Sequence, residues 1–159
     1  FEPPFFPGVV MAFSYKVFCR LLTGLLTGLL LAGASSAADP EVLKPRVPAD
    51  QIEEARSWVN PFPSSQENIE KGKAIFQGKG FCVTCHARDG RGLHDIDGLR
   101  GKLPRNFTDK AWQAVRKDGE LLWILKNGSA GTAMAQFIPR VLTEEEAWHV
   151  ILYVRSFGK

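Results

Sequence analysis

Five consecutive residues, Cys82 to His86, form the most specific chemical pattern in the chain, C-V-T-C-H. Two cysteines separated by two residues and followed directly by a histidine are the sequence signature of covalent haem attachment. Each thiol can form a thioether with one vinyl group of the haem, and the histidine reaches the iron from the same turn. The pattern therefore predicts one haem c, joined to the protein through Cys82 and Cys85 and ligated by His86.

A C-x-x-C pair also occurs in thioredoxin-like redox proteins and in zinc sites. A zinc site needs a second pair of ligands, whereas the only other cysteine, Cys19, lies in an N-terminal segment that we expect to be removed. A redox pair of this kind is normally found near a β-α-β pattern, and the sequence shows none. Haem attachment is therefore the favoured interpretation.

The second axial ligand decides what a haem iron does. A methionine opposite the histidine is typical of electron transfer, whereas an open position permits small-molecule binding. Of the two methionines, Met11 precedes an apolar targeting segment, and Met134 follows the loop-like residues 128–132. We expect Met134 to be the sixth ligand. Its rivals are His94 and His149, and the alternative role for the methionine is to fill space in the core.

Residues 11–38 have the pattern of a secretory signal peptide. Lys16 and Arg20 give a basic start, and the apolar run 21–34 is too short to span a bilayer comfortably. Small residues at the end of the segment supply a cleavage site. We expect export to the periplasm, with an uncleaved signal anchor as the alternative, and we interpret residues 1–10 as an upstream extension of the reading frame.

The remaining chain divides into an arm and a domain. Five prolines in residues 39–63 predict an extended arm, which one short helix at 49–58 interrupts. Trp58 in this helix packs either on the domain or against another subunit. Residues 64–159 form the domain. The formal charge of the whole chain is +3, which gives no indication of nucleic-acid binding.

A glycine inside the first helix of the domain needs an explanation. Either Ser64 or Ser65 can cap a predicted helix that runs to about Gln77, in which Gly72 costs about 1 kcal/mol relative to alanine. Close approach of a second helix would account for this glycine. We therefore predict that the C-terminal helix, which begins at Thr143, crosses the first helix at Gly72, with Phe76 and Tyr153 at the contact.

The segment between these two helices is rich in loops. Short helices are predicted near residues 110–116 and 119–127, and the second is apolar almost all round, so we expect it to face the haem. The carbonyl of Pro104 is a candidate acceptor for the second ring nitrogen of His86. The Gly- and Asp-rich loop 89–101 lacks the full pattern of a calcium site. Four or five short helices around one cofactor, with no alternating strand pattern, predict a small all-α fold.

The ordered set of motifs resembles the class I cytochromes c, in particular the bacterial monohaem members. The motifs are I-E-K-G-K-A-I-F, C-V-T-C-H, G-T-A-M and the terminal L-Y-V-R, and the likeness covers residues 64–157. This resemblance implies the class I cytochrome c fold, with the haem packed among the helices and one edge exposed.

The resemblance also implies roles for single residues. It makes Cys82 and Cys85 the thioether links and His86 and Met134 the axial ligands. Thr132 would donate a hydrogen bond to a haem propionate. One departure is that an isoleucine, in L-L-W-I-L-K-N, occupies the position at which many mitochondrial members have a tyrosine near the methionine sulfur.

These residues predict outer-sphere, one-electron transfer by a single iron, without catalytic side chains. We expect a diffusible periplasmic carrier whose partners are redox proteins, namely a membrane complex, an oxidase or a reductase. Contact with a membrane is expected only through these partners or through an uncleaved signal anchor. One alternative is a cytochrome c subunit of a larger membrane-associated or periplasmic oxidoreductase, with the arm as its docking element. A haem enzyme or a gas sensor is the other.

Overall fold

A computed structural model of the chain describes residues 40–95, 98–99 and 101–159, and the predicted upstream extension and signal peptide lie outside this part. The described part contains seven α-helices and no β-strand. The helices are α1 (Pro40–Leu43), α2 (Ile52–Ser57), α3 (Gln66–Gln77), α4 (Val83–His86), α5 (Lys110–Val115), α6 (Asp118–Asn127) and α7 (Glu144–Ser156). The prediction of a small all-α fold is confirmed, since α3 to α7 build the domain. No helix in the described ranges is both long enough and apolar enough to cross a bilayer.

Helices α3 and α7 each begin at a side-chain cap that the sequence predicts. The Ser65 hydroxyl accepts a hydrogen bond from the backbone N–H of Asn68 at 3.3 Å. At the start of α7 the Thr143 hydroxyl accepts from the backbone N–H of Glu146, and the Glu146 carboxylate accepts from the backbone N–H of Thr143. Such caps satisfy N–H groups that have no partner within the helix.

The crossing of α3 and α7 at Gly72 is confirmed. A Cβ atom built on Gly72 would lie 1.9 Å from the backbone oxygen of His149 and 3.1 Å from Cβ of Tyr153. The rings of Phe76 and Tyr153 meet edge to face beside this point, with their centroids 5.2 Å apart. Only a residue without a side chain allows the two backbones to come this close.

The core extends from this crossing through a set of aromatic rings. The ring of Phe157, just after α7, lies 4.8 Å from that of Tyr153 and 6.3 Å from that of Phe107, centroid to centroid. The Phe107 ring is in turn 5.5 Å from the ring of Trp112 on α5. Aromatic side chains bury large apolar areas, so these contacts fix the loop before α5 against the two long helices.

Arg155 of α7 holds the junction between α5 and α6. Its guanidinium donates to the backbone oxygens of Gln113 and Arg116 at 3.0 and 2.7 Å, and to the carboxylate of Asp118 at 2.6 Å. Hydrogen bonds from a charged donor are stronger than those between neutral groups. One side chain of α7 therefore positions the end of α5 and the start of α6.

The arm packs on the domain of its own chain. A Cβ atom on Gly119, in the first turn of α6, would lie 1.9 Å from the backbone oxygen of Ala55 in α2 and 2.8 Å from that of Trp58. The ammonium of Lys126 lies over the Trp58 ring, and Nζ is 5.0 Å from the ring centroid. Of the two positions considered for Trp58, the structure shows packing on the domain.

The arm contains two helical segments, α1 and α2, where the sequence predicts one. Segment α1 has only four residues, which is too few for a periodic pattern to be recognised. It begins with Pro40, and proline is favoured in the first turn of a helix because it has no N–H to leave unpaired.

Substitution of Gly72 by alanine tests the helix crossing. The added Cβ would overlap a backbone oxygen of α7, so α3 and α7 must separate, and we expect the free energy of unfolding to fall by about 3 kcal/mol. Ala74→Ser is the matched control, because it adds one atom on the exposed face of the same helix. Urea unfolding of the haem-loaded protein measures both variants. Equal midpoints for the two variants would contradict the crossing.

Candidate haem site

All six residues that the sequence analysis assigns to the site line one cavity: Cys82, Cys85, His86, Pro104, Thr132 and Met134. Helices α3, α6 and α7 supply an apolar wall, to which Phe76, Ile124, Leu125, Ile151 and Val154 belong. The fold thus brings the attachment motif and the methionine segment to the same space. An apolar cleft with a few polar groups is the usual form of a cofactor site.

The attachment motif forms a single helical turn between two sharp changes of backbone direction. Phe81 before the turn and Ala87 after it both have positive φ angles, 52° and 58°. Within the turn, the backbone N–H of His86 donates to the Cys82 oxygen at 2.8 Å. Non-glycine residues in this backbone region are strained, and such strain occurs mainly at functional sites. The turn presents both thiols and the imidazole to the cavity.

The protonation of Cys82 does not favour a thioredoxin-like redox pair. Both Cys82 and Cys85 are free and half-buried. Burial raises the pKa of the Cys82 thiol to about 11. A redox-active C-x-x-C pair instead depends on a thiol with a lowered pKa, because the thiolate is the reactive form.

The position of His86 leaves Nε2 as the ring nitrogen that can bind iron. Nδ1 lies 3.2 Å from the backbone oxygen of Arg105. A carbonyl oxygen only accepts hydrogen bonds, so Nδ1 carries the hydrogen and Nε2 keeps its lone pair. The ring stacks on Phe107, with centroids 4.3 Å apart and planes at 19°. Burial lowers the pKa of His86 to about 4, so the imidazole is neutral at pH 7.

The prediction that Pro104 supplies this acceptor is wrong by one residue. The Pro104 carbonyl instead lies against Gly92, 3.0 Å from where a Cβ atom would be, while the Arg105 carbonyl faces His86. Successive carbonyls of extended backbone point in different directions, so a shift of one residue changes which of them faces the ring. Pro104 still lines the cavity.

A braced loop holds Met134 at the cavity. The Thr132 hydroxyl donates to the backbone oxygen of Ser129 at 2.7 Å and accepts from the backbone N–H of Met134 at 3.1 Å. The backbone N–H of Ser129 donates to the Met134 oxygen at 2.9 Å. Gly128 has a φ of 76°, and a Cβ atom there would lie 2.9 Å from the same oxygen. Residues 128–134 thus form a closed turn.

This arrangement gives Thr132 a role that the sequence did not predict. A hydroxyl has one hydrogen to donate, and in this structure Thr132 donates it to the Ser129 oxygen, while a hydrogen bond to a propionate stays a prediction. The sequence indicated that Thr132 and Met134 belong together but not that one braces the other.

The rival histidines lie elsewhere. His94 is exposed, and it does not line the cavity. His149 is buried in α7, where its ring packs against Phe62 with centroids 4.4 Å apart, and it also does not line the cavity. Met134, in contrast to both histidines, lines the cavity.

The Gly- and Asp-rich loop was considered as a metal site in the sequence analysis. Within the ranges that the structure describes, no group of three or more His, Cys, Asp or Glu side chains can hold a metal ion, and Asp97 of this loop falls outside those ranges.

A basic cluster at the cavity was not predicted from the sequence. Arg46 of the arm, Arg105 of the loop and Arg116 after α5 all line it. The Nε atoms of Arg46 and Arg116 are buried without a hydrogen-bond partner. No local signal joins these arginines, since they lie far apart along the chain. Orphaned cationic donors fit a cofactor that carries carboxylates. With the paired thiols, the neutral imidazole and the apolar wall, the residues present fit a haem.

Comparison with known proteins gives a family for the C-terminal part of the chain. A family model described as Cytochrome c matches residues 69–158, more than half of the sequence. The chain is also similar to a solved chain of the reducing HAO-like protein complex of Kuenenia stuttgartiensis, with a TM-score of 0.53 and 24% identity. The alignment covers 62% of this chain and 47% of the solved chain, so this chain spans about half the length of the solved one. At this identity the likeness shows a shared fold alone. No curated protein matches the chain.

Replacing Thr132 by valine tests the brace on the methionine loop. The Ser129 oxygen loses its donor and the Met134 N–H loses its acceptor, so we expect the free energy of unfolding to fall by about 1 to 2 kcal/mol. Thr132→Ser keeps the hydroxyl and should remain within about 0.5 kcal/mol of the wild type. Denaturant unfolding of the haem-loaded proteins gives both values. A valine variant as stable as the serine variant would show that the brace does not matter.

Proposed function

This chain belongs to the cytochrome c family, and we propose that it carries single electrons on one covalently attached haem c. In this proposal Cys82 and Cys85 form the thioethers, and His86 and Met134 are the axial ligands. The supporting observation is that the two thiols, the Nε2-bearing ring and the methionine line one apolar cavity. When bound, the haem supplies a one-electron couple between ferrous and ferric iron.

The protein's contribution is to hold the ligands and exclude water. The Arg105 carbonyl fixes the tautomer of His86, and the stacked Phe107 ring fixes its plane. Such partners of a ligand histidine tune both its orientation and its basicity. On the other side, the Thr132 brace restricts where Met134 can move. The apolar wall limits access of solvent, which is one of the factors that set a reduction potential.

Spectroscopy of the exported protein tests the ligand assignment. The wild type is expected to show the sulfur-to-iron absorption band of methionine ligation and to resist carbon monoxide at neutral pH. Met134→Ala removes the thioether, so the band should disappear and the reduced protein should bind carbon monoxide. His94→Ala is the matched control, because this exposed side chain lies away from the cavity, and it should behave as the wild type does.

Two results would count against an electron carrier with His/Met ligation. If Met134→Ala leaves the spectrum unchanged, Met134 is not the ligand. If the wild type binds carbon monoxide freely, the iron site is open, and a haem enzyme or gas sensor becomes the better description.

A cytochrome c subunit of a larger oxidoreductase is the second candidate. The observation that favours it is that the similar solved chain belongs to a protein complex. The expectation that the arm is a docking element for another subunit loses support, because Trp58 and Gly119 pack the arm on its own domain. The free-carrier form therefore needs no partner to cover Trp58.

Native size and intact mass in the periplasmic fraction separate these candidates. For a carrier released by signal cleavage, we expect a chain that begins near Asp39, carries one haem and elutes as a small protein. Partners are then redox proteins met transiently. Elution in a stable complex of fixed stoichiometry would favour the subunit, and a chain that retains residues 11–38 in the membrane fraction would favour an uncleaved anchor.

A further inference from the structure

The cavity has a polar end, where the arm meets the domain. Five basic side chains line the cavity: Lys44, Arg46, Lys102, Arg105 and Arg116. The acidic residue among the lining residues is Glu120. Three of the five bases pair with a carboxylate: Lys44 and Lys102 with Glu41, and Arg116 with Glu120. The five bases still outnumber these two carboxylates, so the net charge at this end is positive.

The single lining carboxylate is shared. Glu120 is 2% exposed, and its two oxygens accept from Nη1 of Arg116 at 2.7 Å and from Nε of Arg56 at 3.0 Å. Arg116 is itself only 7% exposed, and its Nε has no partner, like the Nε of Arg46. Leaving a buried charged donor unpaired costs more than the net gain of an ordinary hydrogen bond. The cluster therefore has unused capacity for an anion.

The same arginines connect the arm to the loop before α5. Arg46 of the arm donates through Nη2 to the backbone oxygen of Leu103 at 3.2 Å, and Arg105 of the loop donates through Nη2 to the backbone oxygen of Lys44 at 3.2 Å. Arg116 donates to the backbone oxygen of Leu43. Burial, together with the nearby charges of Arg46 and Arg116, lowers the pKa of Arg105 to about 10. The three guanidinium groups thus repel one another while they hold the arm.

We propose that Arg46, Arg105 and Arg116 form the binding site of a haem propionate, and that this carboxylate fastens the arm to the domain. A carboxylate offers two acceptor oxygens that match the planar donors of guanidinium groups. It also supplies the negative charge that offsets the repulsion within the cluster. The arm, which precedes the residues 69–158 matched by the family, is then part of the cofactor site. This inference rests on the proposed function, because haem provides the carboxylate.

The alternative is that the arm docks only through its contacts with α6. Those contacts centre on Gly119 and Trp58, which do not line the haem cavity, and Arg56 belongs to them. Arg56 does not line the haem cavity. Arg46 and Arg56 therefore allow the two explanations to be compared within one arm.

The experiment uses the exported, haem-loaded full chain and its Arg46→Gln and Arg56→Gln variants. Haem staining after denaturing electrophoresis first establishes that each protein carries covalent haem. The reduction potential is then measured, together with the rate at which a glutamate-specific protease cuts at Glu53 or Glu54 in α2. Neither substitution removes these cleavage sites.

For Arg46→Gln we expect a lower reduction potential, because a lost positive charge beside the cofactor disfavours the reduced iron. We also expect a several-fold faster cleavage of the arm. Arg56→Gln should lower the potential by much less than Arg46→Gln does, whatever its effect on cleavage, because Arg56 does not line the cavity and reaches it only through Glu120. Gly119→Ala, which keeps every charge but displaces Ala55, should lower the potential by moving Arg46 away.

The outcomes separate the inference from the function on which it rests. If the wild type carries no covalent haem, the proposed function fails. If haem is present but Arg46→Gln and the wild type share one potential, the propionate site is wrong and the arm is held by its contacts with α6. A lower potential in Arg56→Gln equal to that in Arg46→Gln would overturn the inference too, since it would show a general effect of charge in the arm.

Discussion

The close approach of α3 and α7 at Gly72 is the constraint on which the cavity depends. Because the His149 carbonyl lies where a side chain of residue 72 would be, the two helices are held in backbone contact. This contact places Phe76 of one helix and Ile151 of the other on the same wall. Arg155, further along α7, then positions the end of α5 and the start of α6. The apolar wall and the position of Arg116 therefore depend on where α7 lies.

The other end of the cavity is governed by charge rather than by packing. Burying Arg116 beside Glu120 compensates one guanidinium, but Arg56 uses the second oxygen of the same carboxylate. Buried ion pairs contribute to stability only when their remaining donors are also satisfied. Here the Nε donors of Arg46 and Arg116 are not, and the proposed haem propionate would supply the missing acceptor.

Local patterns in the sequence predicted the parts of this protein that depend on local spacing. The C-V-T-C-H turn and the glycine at the helix crossing are of this kind, and each is recognisable within a few residues. The acceptor of His86 was predicted one residue early, because backbone direction in a loop is not encoded by spacing. The position of Arg46 at the cavity was not predicted, and the prediction for Trp58 named either the domain or another subunit without naming α6. Both depend on how a proline-rich arm returns to a domain many residues later, and one sequence carries no pattern for such pairings.

The two sides of the proposed iron site differ in how firmly they are held, and this difference relates the candidate functions to one another. His86 lies within the C-V-T-C-H turn, which the proposed thioethers would anchor, and it is stacked on buried Phe107. Met134 depends on a short turn whose hydrogen bonds are local, and its neighbours Ala133 and Ala135 are exposed. Segments with few buried contacts open at lower free energy than core helices do. If Met134 ligates the iron as proposed, the methionine side of the site would open before the histidine side. A carrier and a gas sensor on this fold would therefore differ mainly in the stability of one loop.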